Sequence, residues 1–90
     1  MEISTDLKIE IQKQVLETFT DFVKEKGLTT TSGGTFSLEA LQRRVNNAKE
    51  FSECCKISVP YSSEEELNSI KYQLSIEVSH YSRQLMQNYN

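Results

Sequence analysis

The ninety residues contain only one proline, Pro60, and three glycines, Gly27, Gly33 and Gly34. All four fall in two polar stretches, so the helix-breaking residues cut the chain into three long pieces and leave nothing inside them to stop a helix. Each piece repeats its apolar residues at helical spacing, and the chain is therefore expected to be all-α, a three-helix bundle (antiparallel, helices about 6–26, 37–55 and 64–89).

The first helix has Ser4 or Thr5 as its N-cap and Gly27 where a helix commonly closes in the left-handed conformation, letting Leu28 fold back on Val23. At about 100° per residue, Leu7, Ile9, Ile11, Val15, Leu16, Phe19, Phe22 and Val23 cover an arc of about 200°, wide enough for two neighbours. Glu10, Lys13, Glu17, Asp21 and Lys24 make a solvated face of mixed sign. The second helix starts at Ser37 as cap, with Phe36 stapled onto Leu41, and its expected buried stripe is Leu38, Leu41, Val45, Ala48, Phe51 and Cys55. Arg43, Arg44, Asn46, Asn47 and Glu50 are expected to point elsewhere.

Before the third helix, Pro60 pushes Val59 out of helical geometry, and Ser63 with Glu66 forms a capping box whose three carboxylates, Glu64 to Glu66, suit the positive end of a helix. Leu67, Ile70, Leu74, Val78, Tyr81, Leu85 and Tyr89 follow at steps of three or four residues, about 3.7 on average, which is the period of a straight helix. Tyr72, Ile76 and Met86 fall on roughly the opposite side. Three helices of one chain cover one face of this helix but not both, so Tyr72, Ile76 and Met86 are expected at an oligomer interface, and a homodimer is expected to complete the bundle. A mean hydropathy of −0.53 predicts a thin core that association would thicken. The chain reads as one domain, 1–90, with a mobile Ser/Thr/Gly linker at 28–36.

Net charge −3 and a pI near 5.1 argue against the broad positive field used to bind polyanions, so nucleic acid is a poor expectation. The amino-terminal residues lack a basic, then apolar, leader pattern, and no run approaches a membrane span; the expectation is a cytoplasmic protein with no membrane contact. The cysteines, Cys54 and Cys55, are adjacent rather than spread to close loops, which fits a reducing compartment. Neighbours on a helix diverge by about 100°, so one thiol is expected to pack and the other to face out, with no metal site between them.

His80 is the lone histidine, expected in solvent among Ser79, Arg83 and Gln84; no nucleophile and base are spaced for catalysis, and no cofactor motif is found. Gly33 and Gly34 precede a helix start that could cradle a phosphate, yet the Lys-Ser/Thr of a phosphate loop is absent, and an interhelix turn is the plainer account. Arg43 and Arg44, with Lys49, make the second helix locally positive. Together with Tyr61 and Tyr72, tyrosines expected off the core, they are the candidate residues for binding a partner or ligand.

Size, acidity and helical build are similar to those of small regulatory inhibitors, adaptors and phage-encoded accessory proteins. The expected function is a non-enzymatic binding module, homodimeric, that regulates or inhibits another protein. One alternative is a helical oligomer sequestering a small anionic ligand such as a nucleotide; a second is a DNA-binding regulator, disfavoured by a linker far longer than a helix-turn-helix allows.

Overall fold

The computed structural model describes residues 3–31 and 37–90. They form three helices that pack on one another, α1 (Thr5–Lys26), α2 (Leu38–Cys54) and α3 (Glu64–Asn88), and among the described residues no strand. Each starts at an expected serine. Ser4 Oγ accepts from the Leu7 amide, Ser37 Oγ from Ala40, and Ser63 Oγ from Glu66, satisfying amides that a helix start leaves open. The Glu66 carboxylate accepts from the Ser62 hydroxyl. Gly27 closes α1 at φ 65°, and its amide and that of Leu28 turn back to Lys24 and Val23 carbonyls. The Phe36 staple lies outside the described residues.

The core is built from Ile11, Val15, Phe19 and Phe22 of α1, Ala48, Phe51 and Cys55 on or just beyond α2, and Ile70 and Leu85 of α3. Phe51, fully buried, sits at its centre, edge-on to Phe19 at 5.8 Å, Phe22 at 5.7 Å and Tyr81 at 6.5 Å. Phe19 also stacks on Tyr81 at 4.6 Å and meets Tyr89 edge-on at 5.5 Å. The α3 stripe is borne out, since Ile70 and Leu85 are buried and Leu74, Val78, Tyr81 and Tyr89 pack partly buried against the core. Gln12 meets Glu77, and Lys26 pairs with Glu50 at 2.8 Å.

Two expectations about packing are corrected. In α1, Ile9 and Leu16 are exposed, because only the arc centred on Ile11, Val15, Phe19 and Phe22 meets neighbours. In α2 the buried positions are Ala40, Arg44, Ala48 and Phe51, while Leu38, Leu41 and Val45 lie on the surface, Leu38 at 79% exposure. The helix is rotated from the apolar optimum because Arg44 is drawn inward, as described below. At the start of the expected linker, Thr29 and Asn90 exchange both backbone hydrogen bonds at 2.9 Å, and the Thr31 amide donates to the Asn88 carbonyl at 2.6 Å, while positions 32–36 lie outside the described residues. This short bridge, centred on Thr30 and Tyr89, ties the chain after α1 to the end of α3.

Candidate interaction surfaces

Arg44 is the one charged residue that is buried among the described residues, 4% exposed. Its Nη1 donates to the carbonyls of Met86 and Gln87 at 3.1 and 3.0 Å, its Nε to Asn90 Oδ1 at 2.8 Å, and its Nη2 to Thr31 Oγ1 at 3.2 Å. The last carbonyls of a helix have no partner within it and carry its negative end, so a guanidinium there supplies both donors and the favourable charge. Arg44 thus joins α2, the segment after α1 and the end of α3. Its place as a surface ligand-binding residue is corrected: its donors are turned onto the fold, and the anionic-ligand reading loses that arginine. Gly33 and Gly34, the other half of that reading, lie outside the described residues.

Arg43, Tyr61 and Tyr72 are exposed, but nothing brings them together. Arg43 neighbours the residue that caps the end of α3, whereas Tyr61 lies just before its start, and a 25-residue helix is about 37 Å long. By helical phase Arg43 also points about 160° away from Val45. Of the four candidate residues, Arg43 and Tyr61 therefore lie near opposite ends of α3.

Exposed apolar groups instead sort onto two faces. One is the flank of α2, where Leu38, Leu41 and Val45 share a stripe that continues to Lys49. Met86, also exposed, lies at the end of α3 that Arg44 holds. The other face belongs to α1 and α3: Ile9 and Leu16 on the first, Tyr72, 70% exposed, and Ile76 on the second. Beside it an open groove of about 750 Å³ runs between the starts of α1 and α3, lined by Thr5, Lys8, Glu65, Ser69, Tyr72 and Gln73 among others. Periodicity marked Tyr72, Ile76 and Met86 as off the core; Ile9, Leu16 and the α2 flank were missed because apolar residues within a wide arc were all assigned inward.

The cysteines divide as expected, Cys54 exposed and Cys55 buried. Burial pushes the Cys55 thiol above the ordinary range, the neighbouring Cys54 adds to this, and a hydrogen bond with Thr18 partly offsets it. Thiolate is the reactive form, so one equivalent of an alkylating reagent at pH 8 is expected to label Cys54 rapidly, with Cys55 reacting only on unfolding. Peptide mass mapping reads this, and equal labelling of both in the native protein would show that Cys55 is not shielded. The raised Cys55 and Tyr81 values make the folded state hold protons that the unfolded chain releases, so stability is expected to fall as pH rises past 9.0, the ordinary value of the thiol, and further past 10.0, that of the phenol.

His80 is exposed with its ring against Tyr81 at 5.0 Å. Among the described residues no cluster of His, Cys, Asp and Glu is placed to hold a metal, and no helix is long and apolar enough to cross a membrane. No protein family, curated protein or solved structure matches this chain.

Proposed function

We propose that this chain is a non-enzymatic helical binding module that regulates a partner protein and works as a homodimer, its helices running up, down and up. The pairing of Gln12 with Glu77 and Phe19 with Tyr81, against Phe51 with Tyr81 and Arg44 with Met86, supports those directions. The observation that carries the binding role is the separation of exposed apolar side chains onto two faces of an otherwise thin-cored bundle. Scattered surface apolar residues are ordinary, but stripes of them next to charge are characteristic of interfaces. The α1/α3 face suits self-association and the α2 flank suits the partner, which would present apolar side chains with an acidic group for Lys49.

In affinity capture from the native host, Leu41→Asp with Val45→Asp is expected to abolish retention of the partner without changing the helical circular dichroism or the subunit number. Unchanged capture would remove the α2 flank from consideration.

A further inference from the structure

The outward stripe of α3 is nearly palindromic in chemistry. Tyr72 and Ile76 lie two residues either side of Leu74, Ser69 and Ser79 five either side, and Glu65 and Arg83 nine either side. At about 100° per residue, Glu65 and Arg83, eighteen residues apart, share one direction; Tyr72 and Ile76 fall about 20° to either side of it, and Leu74 points directly opposite. Leu74 does pack against the core, whereas Glu65, Tyr72, Ile76 and Arg83 are exposed. Among the described residues neither Glu65 nor Arg83 makes an ion pair within the chain.

A twofold axis through the level of Leu74, perpendicular to α3, sends each member of such a stripe onto its counterpart. We propose that two copies of this chain pack α3 against α3 in opposite directions about that axis, with Tyr72 of each against Ile76 of the other and Glu65 of each paired with Arg83 of the other. This rests on the self-association proposed above and specifies its register. An isologous interface must be self-complementary in this sense, a residue and its opposite number exchanging roles. The serines flanking the apolar pair are small enough for helices to approach at about 8–10 Å.

The groove between the starts of α1 and α3 then has an occupant. Glu65 and Tyr72 line it, and the register brings the second copy's Arg83 there, beside Glu65; Lys8, on the opposite wall, is the cation that opposes it. Ile9 and Leu16 extend the apolar area along α1. A stable interface needs about 800 Å² from each partner, a modest part of the 6290 Å² surface of a molecule 47 Å long and 20 Å across.

The test is sedimentation equilibrium of the full chain and its variants, each checked for helical content. Wild type is expected at twice the 10.4 kDa chain mass. Glu65→Arg and Arg83→Glu each replace two attractive pairs by two repulsive ones and are expected to weaken the dimer about ten-fold or more. Combining them in one chain restores the pairs with signs exchanged, and mixing the two single variants restores them between unlike chains; both should recover most of the affinity. Wild type remaining at the single-chain mass at about 1 mM overturns self-association and register together. A wild-type dimer whose double variant is no tighter than the singles overturns the register alone.

Discussion

Replacing Arg44 by methionine is expected to destabilise the fold by about 3–5 kcal/mol, the range for removing one partner from a buried charged network. For ninety residues the whole stability is about 5–13 kcal/mol. The side chain contacts two carbonyls, an amide oxygen and a hydroxyl from two other segments, so its loss strands acceptors at the end of α3 and frees the bridge between Thr29 and Asn90. Methionine retains much of the aliphatic stem, so the effect reports the guanidinium rather than volume. Lysine keeps the charge but not the fork, and should recover only part of the loss. Urea denaturation with an unchanged slope measures the first quantity, and amide hydrogen exchange at Thr31 and Asn90 measures the second. A loss below about 1 kcal/mol, with both amides still protected, would show that Arg44 does not hold the three segments together.

The same residue marks the limit of what was legible in the sequence. Helix starts were readable because Ser4, Ser37 and Ser63 act on amides three residues away, and the end of α1 because only glycine takes φ 65° without strain. The α3 stripe was readable from its own period. The inward turn of Arg44 was not, since its carbonyl acceptors lie 42 and 43 residues further on and have no side-chain signature. One local signal was present: Arg44 is flanked at four residues on each side by Ala40 and Ala48, small residues that leave room on that face for a long side chain. The rotation that follows brings Leu38, Leu41 and Val45 out, so the exposed flank of α2 was misassigned for the same reason as the arginine. Tyr72 and Ile76 were found because they stand opposite a well-defined core stripe, whereas Ile9 and Leu16 lie at the margin of a wide arc.

Phe51→Ala is expected to cost about 3–5 kcal/mol, because Phe51 is fully buried and its ring touches Phe19, Phe22 and Tyr81. The space would be walled by Phe19 and Phe22 of α1 and Tyr81 of α3, so filling it requires large side chains of two other helices to move together. Phe51→Leu keeps most of the volume and loses the edge-on ring contacts, which are worth about 0.5–1.5 kcal/mol per pair, so it should fall well short of the alanine effect. Thermal unfolding followed by circular dichroism separates the two; equal losses would mean that packing around Phe51 depends on ring geometry and not on filled volume. The alanine variant also senses association. Binding that favours the folded chain adds stability by mass action, so if α3 pairs with a second copy, the midpoint of Phe51→Ala rises with protein concentration, and the same variant carrying Ile76→Asp loses that dependence. A midpoint independent of concentration in both would leave the fold standing on its monomer core alone.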